Sequence, residues 1–254
     1  MIASASRDGQ PGNGDSSQPN ISTSGKSVVF TSTSTNLASG DGNASPDIYM
    51  RTLQRRFKHF GRGRAAQTIV RGTRLVSATR SATAGDGPSS NPVVSEDSLY
   101  VAYQTGASNL IPNDTNGVSD VVRADLSSWP PAQVAISKAA SGLGNGPSTR
   151  PSMTSSAHFV AFQSDASNLK YRADLASDTN GVCDMMVGVV GLGAASVESL
   201  NSSNSFVRTP SGEPAISARG NYVAFESADP LMDPSVPNPG VRAIYLRYLG
   251  PKNA

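Results

Sequence analysis

Four segments of this chain carry the same residues at the same spacing, and this repeat limits the fold more than any other feature. Each segment contains a proline, and an aromatic residue follows eleven positions later. The prolines are Pro19, Pro92, Pro151 and Pro214, and the aromatics are Phe30, Tyr103, Phe162 and Phe225. Each aromatic ends a short apolar run, such as Val160-Ala161-Phe162, whose composition is typical of a β-strand. Equal spacing in four copies predicts four copies of one structural unit.

The length of the unit indicates which structure is repeated. Successive prolines lie 73, 59 and 63 residues apart. Each unit contains three visible strands and one connecting strand, which matches a four-stranded propeller blade. Because one sheet cannot bury both of its faces, neighbouring blades have to stack around an axis.

These observations predict an all-β fold, a β-propeller of four repeats with four four-stranded blades. The sequence predicts a single domain over residues 1–254, with repeats at approximately 7–79, 80–137, 138–200 and 201–254. The alternative fold is a β-sandwich of similar strands, but sandwiches rarely have a fixed repeat of this length.

Residues 2–6 are predicted to complete the last blade. The segment aligns with the strands that follow the aspartate-containing strand in later repeats, and its addition would close the ring without an exposed edge. Two alternatives stay open: the chain is part of a larger propeller, or it is half of a propeller that dimerisation completes. The sequence therefore leaves monomer and dimer unresolved.

The repeated residues carry a family resemblance. The pattern Pro-x-Ile-Ser, followed by Val-Ala-Phe-x-Ser and by Asp-Ile-Tyr or its equivalent, resembles the WD-like repeats of TolB-type β-propellers over nearly the whole chain. The resemblance implies a propeller fold and a bacterial protein that is periplasmic or secreted, although residues 1–7 lack the basic and apolar regions of a signal peptide. It implies no single activity, because such propellers serve as protein-binding platforms, cell-surface modules and substrate gates of peptidases.

Three loops share a pattern of Asp and Asn residues that suits a hard cation. Oxygen atoms at positions one, three and seven of a turn resemble the opening of calcium-binding loops. The predicted ligands are Asp41, Asn43 and Asp47 in the first copy, Asp114, Asn116 and Asp120 in the second, and Asp178, Asn180 and Asp184 in the third. The pattern lacks a bidentate acidic ligand, and residues 236–243 of the fourth copy have lost both carboxylates. Turn formation by Asp, Asn and Gly is therefore the simpler interpretation, and calcium binding is the second.

Residues 54–74 are predicted to be a basic insertion that protrudes from the first repeat as a loop or hairpin. The stretch from Arg51 to Arg74 contains no carboxylate, and Phe57 and His59 lie among its cations. This mixture suits an anionic polymer or a protein surface. A solvated insertion is the simpler interpretation, because surface insertions are well tolerated.

Composition and motifs favour binding over catalysis. A net charge of +2 argues against nucleic acid as the partner, and no apolar stretch approaches the roughly 20 residues that span a bilayer. The chain has no Gly-x-Ser-x-Gly motif, and His59, His158 and Cys183 have no sequence neighbours that suggest a metal site or a nucleophile. The sequence predicts a non-catalytic binding or scaffolding module for a protein or polysaccharide ligand. The alternative is a glycan- or peptide-processing enzyme, or the propeller gate of a peptidase whose catalytic domain is absent from this chain.

Overall fold

The computed structural model describes residues 2–60, 63–139, 142–169, 178–201, 203–233 and 240–250, and of residues 54–60, 63–71 and 194 the backbone alone. The described residues form antiparallel sheets in which each strand pairs with the next strand along the chain. We name the four larger sheets blades 1 to 4.

Each blade lies within one of the predicted repeats. Blade 1 contains β1 (Ser16–Ile21), β2 (Ser27–Ser32), β3 (Asp47–Phe60) and β4 (Gly63–Leu75), and blade 2 contains β5 (Ser89–Val94), β6 (Tyr100–Thr105), β7 (Asp120–Asp125) and β8 (Ala132–Ala135). A short hairpin, β9 (Lys138–Ala139) and β10 (Gly142–Leu143), leads to blade 3, which contains β11 (Ser148–Met153), β12 (Phe159–Ser164), β13 (Asp184–Val189) and β14 (Ala194–Val197). Blade 4 contains β15 (Ser211–Ile216), β16 (Tyr222–Ser227) and β17 (Ala243–Tyr248). The all-β propeller of four repeats is confirmed, with a last blade of three strands in the part of the chain described.

The repeated aromatics lie where their equal spacing requires. Tyr103, Phe162 and Phe225 are buried and pack against apolar residues of the preceding blade. In blade 1, Phe30 is buried against Leu37 and stacks on Tyr49, at a ring-centroid distance of 5.9 Å. The core is therefore a series of similar interfaces between successive blades. The first strands of the blades contact one another in turn, which places β1, β5, β11 and β15 on the inside.

The N-terminal segment differs from its prediction. Among the described residues, β17 has no partner on its outer side, and Ala5 instead forms a β-bridge with Pro11. The segment contacts Arg51 of blade 1, whose side chain is buried and needs hydrogen-bond acceptors. Its guanidinium donates to the carbonyl oxygen of Ala5 and, at 2.9 Å, to that of Ser6. The predicted placement of residues 2–6 in the last blade is thus replaced by a contact with the first.

The extra length of the first repeat forms a hairpin extension. Strands β3 and β4 contain 14 and 13 residues, whereas β7 and β8 contain six and four. Their antiparallel pairing continues to Phe60 opposite Gly63. The side chains of the basic insertion, including those of Phe57 and His59, lie outside the described part of the structure.

Candidate functional site

A bulge interrupts the first strand of every blade at the repeated proline. The register with the second strand shifts between Ser17 and Asn20 in blade 1, and at the equivalent position in each of the other blades. The residue before each proline has a left-handed backbone: φ is 52° at Gln18, 53° at Asn91, 53° at Arg150 and 50° at Glu213. Proline disfavours such a conformation in the preceding residue and favours an extended one. The left-handed residue occurs before the proline in all four blades, so this strained conformation is a constant feature of the repeat.

The bulges surround one pocket. The cavity has a volume of about 530 Å³ and is lined by residues from the first strand of every blade, which include the four repeated prolines. We call it the axial pocket. Its polar lining comes mainly from Gln18, Asn91, Arg150 and Glu213, the four residues before the prolines. Each blade thus contributes one different polar side chain from the same backbone position.

Glutamine side chains hold the strained backbone in place. The Asn91 N–H donates to Gln18 Oε1 at 2.9 Å, and in the next two blades the equivalent N–H groups of Arg150 and Glu213 donate to Gln104 and Gln163 at 3.1 and 3.3 Å. In each case the glutamine belongs to the preceding blade. In blades 2 to 4 the bulge is held through its own backbone N–H group, so its geometry does not depend on the side chain at positions 91, 150 or 213.

The two sides of the axial pocket differ in charge. On one side, Gln18 Nε2 donates to Asn91 Oδ1 at 2.6 Å, so that this side consists of neutral amides. On the other side, Arg150 forms an ion pair with Glu213, and about half of each side chain is exposed. An ion pair this exposed is screened by water and adds little stability, so both groups are accessible to a ligand.

The second and third Asp-Asn loops connect each blade to the next. Asn116 Nδ2 donates to Asp120 Oδ2 at 2.8 Å and to the Gly144 carbonyl oxygen at 3.0 Å, four residues before blade 3 begins. Ser137 Oγ donates to the other carboxylate oxygen of Asp120 at 2.6 Å. The third loop repeats these contacts with Asn180, Asp184, Val207 and Ser199, at distances of 2.6 to 3.1 Å.

The first loop keeps this connection but leaves carboxylate oxygens without partners. Asn43 Nδ2 donates to the Gly85 carbonyl oxygen at 2.7 Å, and Ser77 Oγ donates to Asp47 Oδ1 at 2.5 Å. Asp47 Oδ2 and Asp41 Oδ1 are buried and have no hydrogen-bond partner among the described residues. The second oxygen of Asp41 accepts a hydrogen bond from the Tyr49 hydroxyl.

Burial shifts the acidity of the aspartate that ends each loop. It raises the pKa of Asp47 to about 7, with a further upward contribution from nearby Asp41, and the hydrogen bond from Ser77 opposes this rise. Burial raises the pKa of Asp184 to about 6 and also raises the pKa of Asp120, where hydrogen bonds from serine and asparagine again favour the charged form. Asp47, and to a smaller extent Asp184, therefore stays partly protonated near neutral pH.

The contacts of the predicted calcium ligands match turn chemistry. Asn116 accepts from the Val118 N–H at 3.1 Å and directs its amide donors towards Asp120, and Asn180 does the same towards Asp184. In the described part of the chain, no three His, Cys, Asp or Glu side chains are close enough together to hold a metal ion. In each of the three loops the predicted ligands lie near one another. Calcium binding by these loops stays a prediction.

Cys183 is placed as part of the scaffold. Burial, together with a hydrogen bond to Asp165, raises the pKa of its thiol to about 12. Its carbonyl oxygen accepts from the Ser211 N–H of blade 4 at 2.8 Å. A thiol with so high a pKa is a poor nucleophile.

The axial residues were missed in the sequence, although a signal was present. The motif around each proline repeats, but the residue before it changes from Gln to Asn, Arg and Glu. A position that varies in charge inside a constant motif is typical of a ligand-facing side chain on a fixed scaffold.

Comparison with known proteins shows similarity to propellers at low sequence identity. No protein-family model and no curated relative matches the chain. It is similar to TolB from Acinetobacter baumannii, with 14% identity and a TM-score of 0.46 over 93% of this chain and 41% of that one. It is also similar to a structure from a study of two prolyl endopeptidases, with 13% identity and a TM-score of 0.47 over 94% of this chain and 29% of that one. A putative TolB from Agrobacterium tumefaciens gives 13% identity and a TM-score of 0.35 over 92% and 74%. The chain spans less than half of the length of the first two structures.

Proposed function

We propose that this chain is a non-catalytic binding or scaffolding module whose ligand, a protein segment or a polysaccharide, binds in the axial pocket. One observation carries the proposal: four strained bulges place four chemically different polar side chains around a single cavity. Backbone strain repeated at a concave polar site is typical of a position selected for function.

The chemistry of the pocket suits a ligand rich in hydrogen-bonding groups. Gln18 and Asn91 offer amide donors and acceptors, and Arg150 and Glu213 offer one charge of each sign. A peptide backbone or a chain of sugar hydroxyls can use both kinds of group. None of the described residues that line the pocket is aromatic, so polar contacts supply the specificity that these residues can give.

The carboxylate content of the pocket supports binding over glycan processing. Among the described residues that line it, Glu213 is the one carboxylate, and it is paired with Arg150. Glycoside hydrolysis usually needs two carboxyl groups about 5–10 Å apart, one of which has to be available as an acid. The alternatives of a peptide-processing enzyme and of a peptidase gate have no comparable support from this site.

The proposed setting is periplasmic or secreted, by resemblance to TolB-type propellers. The part of the chain that the structure describes has no helix with the length and apolar character needed to cross a membrane. A ligand on a neighbouring protein or on a surface polymer would be within reach in such a compartment.

The proposed site is tested with ligands selected from a phage-displayed peptide library and from a glycan array. We expect ligands of the wild-type chain to bind Asn91→Ala and Arg150→Ala at least ~10-fold more weakly, because each change removes hydrogen-bonding groups from the pocket and leaves the glutamines that hold the bulges in place. Arg80→Ala is the matched control, since Arg80 is exposed and does not line the axial pocket. Ligands that bind both pocket variants as tightly as the wild type would overturn the proposal, and cleavage of a selected glycan would favour the enzyme.

Calcium binding by the Asp-Asn loops is a separate proposal with its own test. If Asp114, Asn116 and Asp120 hold calcium, the melting temperature should be higher in millimolar calcium than in chelator, because a ligand that binds only the folded state stabilises it. Asp114→Asn should reduce this difference, and Asp8→Asn, which removes an exposed carboxylate elsewhere, should not. Identical melting curves with calcium and with chelator would leave the loops as turns.

A further inference from the structure

Each blade has two apolar faces, and the structure shows how they are used. We call the face towards the following blade the leading face and the other the trailing face. Ile48 on the leading face of blade 1 packs with Tyr103 on the trailing face of blade 2. The same relation joins blade 2 to blade 3 and blade 3 to blade 4. The chain thus contains three copies of one type of interface.

The leading face of blade 4 is exposed where its equivalents are buried. Ile48, Val121 and Met185 are 0% exposed, whereas Ile244 at the equivalent position is 70% exposed. Leu246 is also 70% exposed, whereas Met50 and Val187 at the equivalent position are buried and Arg123 of blade 2 is partly buried. Tyr222 and Tyr248 extend this surface as a pair with ring centroids 5.1 Å apart. Contiguous exposed apolar residues on one sheet face mark an interaction surface.

The trailing face of blade 1 shows the matching difference. Ile21 is 60% exposed, whereas Val94, Met153 and Ile216 at the equivalent positions pack into the interface with the preceding blade. Ser16 is exposed, although its equivalents Ser89, Ser148 and Ser211 are buried. Ala3 and Ser4 cover the neighbouring part of this face, beside Val28 and Phe30, and leave β1 uncovered.

A backbone hydrogen bond recurs at every interface and identifies the atoms that would meet. The N–H groups of Ser89, Ser148 and Ser211 donate to the carbonyl oxygens of Pro46, Ser119 and Cys183 at 2.7 to 2.8 Å. Each acceptor lies immediately before the third strand of the preceding blade. At the two uncovered faces, the equivalent groups are the Ser16 N–H and the Arg242 carbonyl oxygen.

We propose that two copies of this chain associate head to tail, with the leading face of blade 4 in each copy packed against the trailing face of blade 1 in the other. The surface that covers blade 4 is inferred from the three interfaces between blades within the chain. A trailing face of the same repeat reproduces their apolar and hydrogen-bonding pattern. In the part of the chain that the structure describes, the leading face of blade 4 and the β1 part of the trailing face of blade 1 are exposed, and two copies packed head to tail cover both. The resulting ring of eight blades lies within the size range of β-propellers.

Sedimentation velocity over a range of protein concentrations tests the association. We expect the wild-type chain to form a dimer, and Leu246→Glu and Ile21→Glu each to raise its dissociation constant about 30-fold or more, because each change places a charge in an apolar contact. Both residues are exposed in the single chain, so the variants should keep the wild-type far-ultraviolet circular dichroism spectrum, which shows that they still fold. Val134→Glu is the matched control: Val134 is 39% exposed on the outer strand of blade 2, away from both faces.

Mixing the two variants separates head-to-tail packing from other dimers. A mixed dimer contains one intact interface, formed by Leu246 of one copy and Ile21 of the other, whereas each variant alone has only damaged interfaces. If one buried charge keeps an interface from closing, the mixed dimer keeps one closed interface and each variant alone keeps none, so the mixture should associate more tightly than either variant by itself. A wild-type chain that stays monomeric, variants that dimerise like the wild type, or a mixture that associates no better than its components would each overturn the proposal.

Discussion

Replacement of Gly146 by alanine is expected to lower the free energy of unfolding by about 3 kcal/mol or more. A Cβ atom at this position would lie 2.6 Å from the carbonyl oxygen of Asp165 and 2.7 Å from its carbonyl carbon. The backbone there is fixed by a hydrogen bond of 2.9 Å from the Asp165 N–H to the Pro147 carbonyl oxygen. Because the clash involves backbone rather than a side chain, rotation about a side-chain bond cannot relieve it. Urea unfolding followed by circular dichroism measures the loss.

Gly42→Ala is the matched control for this prediction. A Cβ atom at Gly42 would meet no atom within 4 Å, so this replacement should leave stability nearly unchanged. Gly87→Ala should behave like Gly146→Ala, because its Cβ would lie 2.5 Å from the Gly106 carbonyl oxygen in blade 2. Similar stability of all three variants would contradict the close approach of the two loops at the start of each blade.

Stability is expected to decrease as the pH rises from about 5 to about 8. The Asp47 carboxyl has a pKa near 7 in the folded chain and near 3.8 ordinarily, so between these values the folded state keeps a proton that the unfolded state has lost. This group therefore contributes stability that is complete below pH 4 and is lost as the pH passes through 7. At about 1.4 kcal/mol for each pKa unit, Asp47 accounts for a fall of roughly 2–4 kcal/mol. Asp184 adds a smaller fall between about pH 4 and pH 6.

Chemical denaturation at several pH values, in the presence of a chelator, measures this dependence. Asp47→Asn keeps the position neutral and should flatten the curve between about pH 4 and pH 7, the range between the two pKa values. Asp8→Asn removes an exposed carboxylate and should keep the wild-type slope. A free energy of unfolding that is constant or rises from pH 5 to pH 8 would show that Asp47 is ionised in the folded chain.

The equal spacing of prolines and aromatic residues predicted the fold. A buried aromatic residue cannot change its position in the repeat without changing the interface between two blades. Tyr103, Phe162 and Phe225 lie eleven residues after their prolines and occupy equivalent buried sites. The placement of residues 2–6 could not be predicted in the same way. A short segment of alternating small residues fits the edge of any blade, and the choice depended on Arg51, whose burial is visible only in the folded chain.

The candidate site was predictable only in part. Asp120 and Asn116 were correctly placed in one loop, but whether an amide presents its oxygen or its N–H groups depends on neighbours such as Gly144, far along the chain. The four residues before the repeated prolines, which line the axial pocket, were not predicted, because the residue before a proline normally has an extended backbone. The left-handed conformation of Arg150 requires support from the Gln104 side chain of another blade, and no local pattern reports that contact.

The glutamine contacts also allow the ligand specificity of the axial pocket to change in evolution with little loss of folding stability. Because Gln18, Gln104 and Gln163 hold the bulges of blades 2 to 4 through backbone N–H groups, a mutation before Pro92, Pro151 or Pro214 changes the ligand-facing group while the scaffold keeps these bonds. Polar residues can therefore be exchanged at positions 91, 150 and 213 at little cost in folding, one blade at a time. A lineage built on this repeat could move from one ligand to another by single substitutions, each tested by selection on an intact protein.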